Sequence, residues 1–588
     1  MRFPTMQELP SDRELTQAFG GYNHTANVSD GEFFDMQNLS SDHYPIVSTR
    51  QKRGTYPITE AVSPTDLGGL IAKDTLCYVD NGHFLFDQYD LDLNLSPGEK
   101  TLISMGAYVL IFPDKVYINT KDITDRGAIE AKTSSKASDG TVSSVSYSLT
   151  RVDGTDYDSV LVSPSAPESP TDGMLWMDTG STPHVLKQYS GASGIWTAIV
   201  TTYIKITCSK AGIFAPYSVG DGVTIAGSEL DALNATSIIQ AKGDDYIVVI
   251  GVLDEAVTQD TEVSFSRTMP EMDFLTECNN RLWGCRYGKN AAGDVVNEIY
   301  ASKLGDFKNW NVFAGISTDS YAASCGTDGA FTGAITHLGY PLFFKEDCFH
   351  KVYGNYPSNF QIVSTACNGV KRGSHRSLAI VGSTLFFQSR DGICYFDGSL
   401  PTDISSQLGE DRFQNAVAGA IGSKYYISTQ KEDTGEWYLF VFDTARRLWH
   451  REENTRAKTF CACRGELYFI DDSQRIRTVR GSGAVDTARV AWYAETGVLG
   501  TPTPDHKYIS RFNIRMEMDG DAEVSVAIQY NSSGVWEPVF IATGAKLRSL
   551  SIPVRPKRCD HFRLRLSGHG GAKIYSYVKT VEEGSDML

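Results

Sequence analysis

No stretch of this 588-residue sequence approaches the roughly 18 consecutive apolar residues of a membrane-spanning helix. The start, Met1-Arg2-Phe3-Pro4, lacks a basic segment followed by an apolar one, so export is not expected and the chain reads as one made in the cytoplasm. Cysteines number eleven, an odd count with no CxxC and only Cys461-x-Cys463 closely spaced, which excludes a disulfide framework and a zinc site and leaves buried thiols. The eleven histidines form no HExxH; GxxxxGK[ST] and GxSxG are also absent. Asp90-Leu91-Asp92-Leu93-Asn94 imitates a calcium loop but has Leu95 at the turn glycine and Thr101 at the bidentate acid. No metal, cofactor or catalytic residue is therefore expected. Positive charge is also short: 54 Lys and Arg against 71 Asp and Glu give a net charge of -17, which opposes a protein that grips nucleic acid through its phosphates. An acidic wall along which DNA slides remains compatible.

Glycine (53 residues) and aromatics (11%) are plentiful, a composition of strands joined by tight turns. One phrase recurs: a Gly turn, an aromatic strand, an acidic turn and a second strand. It runs from Gly339 to Tyr353, again from Gly382 to Phe396, from Gly422 through Trp437 to Phe442, and from Arg464 to Ile470. Leu342, Leu385, Tyr425 and Leu467 follow one another at spacings of 43, 40 and 42 residues. That period, built only of strands, is the length of a propeller blade, whose apolar faces are buried by its neighbours. Earlier copies start near Leu76, Val109 and Leu282. The expected fold is all-β: a β-propeller of six or seven blades with an inserted β module and a C-terminal β-sandwich. The divisions read as an extended N-terminal arm (1–60), first blades (61–132), an insertion (133–266), remaining blades (267–489) and a sandwich (490–588) with period-two strands such as Phe512 to Met518.

Two groups are candidate contact residues. Trp176, Tyr189 and Trp196 in the insertion form an aromatic platform for a sugar, set against plain packing inside a small β module. Arg555, Lys557, Arg558, Arg563 and Arg565 are the densest basic cluster, a DNA or interface patch set against the solvated face that Arg-Leu-Arg-Leu alternation implies.

Three segments carry a resemblance. Phe19-Gly20-Gly21-Tyr22-Asn23, Asp30 to Leu39 and Arg53-Gly54 resemble the opening of tail-nozzle and packaged-DNA stabilisation proteins of short-tailed bacteriophages. Gly326-Thr327-Asp328-Gly329 with the repeats, and Ser551 to Gly568, are similar to later parts of such proteins. The resemblance implies a structural virion protein of the head-tail connector or tail nozzle and no enzyme. Its copies would form a ring, a hexamer, that conducts and retains the genomic DNA and contacts adaptor, portal and tail fibre proteins. The arm would lie along a neighbouring subunit. The alternative is a tail-associated receptor-binding or glycan-degrading propeller; Ser389-Arg390-Asp391-Gly392 matches the sialidase turn only in part.

Overall fold

Aromatic and β-branched residues interrupted every few positions by Gly, Asn or Asp favour short strands and tight turns over helices. The computed structural model describes residues 11–57, 66–87, 89–290, 292–500, 505–544 and 546–583, and among these the chain is all-β, with short 3-10 turns as its only helical elements. Residues 1–10 and 58–60 of the expected arm lie outside the described residues.

Seven sheets follow one plan among the described residues. Their second strands are Leu76–Asp80, Tyr108–Phe112, Arg281–Lys289, Tyr340–Phe344, Thr384–Gln388, Lys424–Lys431 and Glu466–Asp471. These strands carry every position from which the period was read. The fold is a β-propeller, at the higher of the two expected blade numbers. Gly339, Gly382, Gly422 and Gly465 open the second strands of the last four blades, each at positive φ, which fixes the Gly turn of the repeat.

The chain divides into two compact units. One comprises Met1–Leu102, Gly329–Lys351 and Ser364–Leu588, the other Ile103–Asp328 and Val352–Val363. The expected segments 61–132 and 267–489 are each split between them. In the first unit, blades pack through aromatic and aliphatic faces. Leu342 and Phe344 meet Leu385 and Phe387; Phe386 lies 5.2 Å from Tyr425; Tyr426 and Val441 meet Leu467 and Phe469; Ile470 and Ile476 meet Leu67 and Leu70. The opening strands of these last blades, Ala379–Val381, Phe413–Ile421 and Ala457–Cys463, pack side by side, and Ala457–Cys463 also meets Leu67–Ala72. In the second unit Leu110, Phe112 and Tyr117 share a core with Leu282, Phe307 and Trp310. There Ala131–Ser134 and Ser264–Arg267 run antiparallel, so the inserted module leaves and returns at one place around a core with Tyr147, Phe214 and Phe265.

The arm expected to seek a partner folds into its own chain. Gly21–Tyr22 and Glu32–Gln37 lie inside a ten-stranded sheet, between the sixth blade and Ala491–Thr496 of the sandwich. Ser11–Thr16 and Val47–Thr49 pair with Ala572–Glu583 in the facing sheet. Phe19, Tyr22, Phe33, Met36, Leu39 and Val47 are buried in a core shared with Phe512, Val526 and Leu564. The apolar residues of this segment thus complete the sandwich, which the last hundred residues do not build alone.

The same segment finishes the seventh blade. Gly54–Thr55 is the strand outside Ile476–Thr478, and a Cβ on Gly54 would lie 2.1 Å from the Ser482 carbonyl oxygen, so only glycine fits. Arg53 is buried against Glu452 and Glu453, and Ser41 donates its backbone N–H to His450 Nε2 at 3.2 Å. Burial, and next Lys424, push His450 down to about 3.

Two outcomes follow from this closure. Phe33→Ala lowers the stability of the isolated chain by about 3–5 kcal/mol in urea unfolding, as a buried aromatic truncation does; an arm awaiting a partner subunit would show no loss. An unfolded histidine titrates near 6.5, so between that value and about 3 the unfolded chain binds a proton at His450 that the native chain refuses. Its contribution is complete above pH 6.5 and is lost as pH falls, at about 1.4 kcal/mol per pH unit. His450→Gln removes that slope from stability measured between pH 7 and 4.5.

Candidate active site

Alternation along three strands of the ten-stranded sheet sorts their side chains. Trp492, Ala494, Phe562, Leu564 and Leu566 enter the core, which leaves Tyr493, Glu495, Arg563 and Arg565 on the opposite face. In Glu32–Gln37 a register shift between Phe33 and Asp35 keeps Phe33 and Met36 in the core and sets Asp35 opposite Glu495. Glu495 is in turn opposite Arg565. Asp35, Glu495 and Arg565 therefore form one row across three neighbouring strands.

Arg451, from Leu448–Arg451 in the sixth blade, completes the cluster. It donates through Nη2 to the Tyr493 hydroxyl at 2.6 Å and stands 3.3 Å from Asp35 Oδ1, while Tyr493 donates to Asp35 Oδ2 at 2.9 Å. Arg565 Nε is 3.0 Å from Glu495 Oε1, and Arg563 Nη2 is 3.9 Å from Oε2. Aromatic faces hold the guanidinium groups. Arg563 lies over Phe34, Arg565 between Tyr493 and Trp536, and Arg451 over Tyr438.

Three guanidinium groups face two carboxylates, so the cluster has one uncompensated positive charge. Arg451 Nε, Arg563 Nη2 and Asp35 Oδ1 are buried without a hydrogen-bond partner in the chain. Burial, the largest effect, raises the pKa of Glu495 above the usual carboxylate range, with Asp35 adding to it against Arg565 and Arg563. Burial likewise keeps the Tyr493 phenol protonated far above neutral pH. With side chains 14% and 23% exposed, Glu495 and Asp35 can be reached from solvent. Beside them is a depression of about 250 Å³ lined by Gln37, Tyr493, Glu523, Arg565, Ser567 and His569. Among the described residues no group of three His, Cys, Asp or Glu is placed to hold a metal ion.

The basic run found in sequence is divided by the structure. Arg563 and Arg565 belong to this cluster, half-buried and paired, so their strand face is not the solvated one that alternation implies. Arg555, Lys557 and Arg558 are on exposed loop, with Lys557 2.5 Å from Glu537 and over the Tyr530 ring. Trp176, Tyr189 and Trp196 do come together in the inserted module. Trp176 is buried and donates its indole N–H to the Ser163 carbonyl at 2.9 Å; Trp196 meets it edge-on at 5.3 Å, Tyr189 meets Trp196 at 5.2 Å, and Lys187 covers the Trp176 face. This is a packed knot around a buried Trp176. Asp35, Arg451, Tyr493 and Glu495 escaped sequence reading because the residues that gather here are spread from position 35 to 565. The local signals were the alternation around Trp492 and that of Arg563 and Arg565 with Leu564 and Leu566.

No protein-family profile and no curated protein matches the chain. Among solved structures, it is similar to an exo-β-1,3-galactanase of Phanerochaete chrysosporium, at 7% identity over 52% of this chain and 94% of that one, TM-score 0.22. It is also similar to a bifunctional glycoside hydrolase of Bacteroides eggerthii (8% identity, 54% and 64% covered, TM-score 0.19) and to a Trypanosoma rangeli sialidase in complex with sialic acid (8% identity, 90% and 95% covered, TM-score 0.20). These findings correct two expectations, the connector ring and the absence of enzymatic activity: the structures found are glycoside hydrolases and a sialidase. Scores so low carry no argument about the chemistry, which rests on the cluster itself.

The cluster makes a stability prediction. Glu495→Ala leaves two half-buried guanidinium groups without their carboxylate and lowers stability by about 2–3 kcal/mol in urea unfolding. Arg555→Ala, on exposed loop, stays within about 0.5 kcal/mol.

Proposed function

We propose that this chain is a glycan-degrading β-propeller protein whose active site is the row Asp35, Glu495 and Arg565. The observation that carries the reading is a pair of carboxyl groups directly opposite each other on adjacent strands, one of which burial keeps protonated to higher pH than usual. Glycoside hydrolysis requires two such groups in unequal environments, one as acid and one as carboxylate.

Glu495 is the acid. Its proton goes to the glycosidic oxygen as the bond to the anomeric carbon breaks. Asp35, held by the Tyr493 hydroxyl on Oδ2 and by Arg451 on Oδ1, is the carboxylate that attacks the anomeric carbon. Water then releases the sugar, giving its proton back to Glu495. Directly opposed residues have Cβ atoms about 4.5–5.5 Å apart, a spacing that suits the short carboxyl separation of configuration-retaining enzymes. Arg451, Arg563 and Arg565 give the site its surplus positive charge, which favours a glycan bearing carboxylate or sulfate groups. With the phage resemblance of the chain ends, the substrate class proposed is acidic surface polysaccharide of a bacterial host.

Incubation of the purified chain with acidic and neutral bacterial polysaccharides, followed by detection of new reducing ends, tests this. Release is expected from acidic polymers with retained anomeric configuration. Glu495→Gln and Asp35→Asn are each expected to cut the rate about 100-fold or more. The parent rate falls as pH rises through the pKa of Glu495, because the acid loses its proton. A folded Glu495→Gln variant as active as the parent, or no release from any polymer, defeats the proposal.

A further inference from the structure

A second cavity, of about 290 Å³, lies where three successive blades present the starts of their opening strands. Arg376 comes from the 3-10 turn His375–Ser377 before the fifth blade's first strand, Asn415 from the sixth blade's first strand, Phe413–Ile421, and Arg456 and Lys458 from the start of the seventh's, Ala457–Cys463. Gln430 and Trp437, from the next two strands of the sixth blade, form one wall. None of these residues belongs to the carboxylate row.

Two irregularities aim side chains here. The ladder of the sixth blade shifts register between Gln414 and Val417, and Asn415 within that shift has φ 54°, a conformation a non-glycine residue adopts only when its surroundings hold it there. The ladder of the seventh blade shifts between Ala457 and Thr459, so Lys458 is the extra residue. Bulges redirect single side chains out of a regular sheet. Here two bulges, in neighbouring strands, bring an amide and an ammonium group to the same cavity.

The lining is hydrogen-bonding and holds three cations and one carboxylate, Glu99. Arg376 is 3.0 Å from Glu99 and donates to the Lys458 carbonyl at 3.0 Å. Arg456 lies over the Trp437 ring at 5.0 Å, with its nearest carboxylate, Asp472, exposed at 3.5 Å. Lys458 has no ion pair among the described residues. Asn415 donates to Gln430 at 3.0 Å, holding the two amides together. His375, kept neutral near pH 7 by burial and Arg376, adds no charge of its own. In a chain of net charge -17, a local surplus of positive charge beside a half-buried indole and paired amides is a specific combination.

The geometry points to a second, non-catalytic site that holds one acidic sugar residue of a polysaccharide: its ring against Trp437, its hydroxyl groups on Asn415 and Gln430, and its carboxylate or sulfate on Lys458 and Arg456. The volume suits one or two sugar rings, and sugar faces settle on aromatic surfaces while their edges need polar partners. Single-stranded nucleic acid is the less suited polyanion, since it asks for successive aromatic platforms along a basic track and the cavity has one ring. The site deepens the glycan reading and does not depend on hydrolysis.

Calorimetric titration of the full chain in the Glu495→Gln background, so that no probe is consumed, tests the site with oligogalacturonate, sulfated dextran, neutral dextran and single-stranded DNA. Binding of an acidic saccharide is expected, weakened at least tenfold by Lys458→Gln and by Trp437→Ala and less by Trp437→Phe, with neutral dextran not binding. Loss of binding with Trp437→Ala alone counts only if its thermal unfolding matches the parent; Lys458→Gln, a mild change on the surface, stands as the independent variant. Equal affinity for neutral dextran, preference for DNA, no binding of either acidic saccharide, or indifference to both substitutions overturns the proposal. Binding here without reducing-end release by the parent chain would instead remove the hydrolase reading and keep this site.

Discussion

The union of blade and sandwich in the first unit depends on one act of pairing, the insertion of Glu32–Gln37 between the sixth blade and Ala491–Thr496. It joins blade and sandwich into a single sheet. It buries Phe33 and Met36 in the core that both share, and on its other face sets Asp35 opposite Glu495. Remove the strand, and the sandwich loses part of its core while the carboxyl pair loses a member. Stability and the candidate chemistry are thus properties of opposite faces of the same six residues, which is the ordinary economy of a strand with period two.

The propeller was legible because its signal is local and repeated. Each second strand keeps aromatic or aliphatic residues between a Gly turn and an acidic turn, and Leu342, Leu385, Tyr425 and Leu467 show the period without knowledge of any partner strand. The N-terminal segment has only local phrases such as Gly20-Gly21-Tyr22 and no repeat, so its apolar residues could be assigned to a neighbouring subunit as easily as to its own chain. Only register decides between these, and register is not written in composition. The cluster was hidden for a related reason. Alternation in Arg563-Leu564-Arg565-Leu566 correctly separates core from outer face, yet whether an outer face meets water or Glu495 depends on a strand about seventy residues earlier and another over five hundred residues away.

Charge tells a similar story at two scales. The chain as a whole is acidic, which opposes extended binding of polyanions. Locally, Arg451, Arg563 and Arg565 outnumber their carboxylates, and Arg376, Arg456 and Lys458 do the same in the other cavity. Such islands admit a short anionic group and repel a long uniform one.

The seventh blade, finished by Gly54–Thr55, sets an order on biosynthesis. A ribosome delivers the closing strand about four hundred residues before Ile476–Thr478, the edge it must cover, and Glu32–Gln37 waits longer still for Ala491–Thr496. Throughout most of translation Glu32–Gln37 has only Gly21–Tyr22 of its native neighbours and Gly54–Thr55 has none, so the nascent chain holds an N-terminal segment whose apolar residues lack most of their partners until its last fifth emerges. Folding of the first unit is therefore a late, largely post-translational event with contacts of very long sequence separation, and slow by that topology.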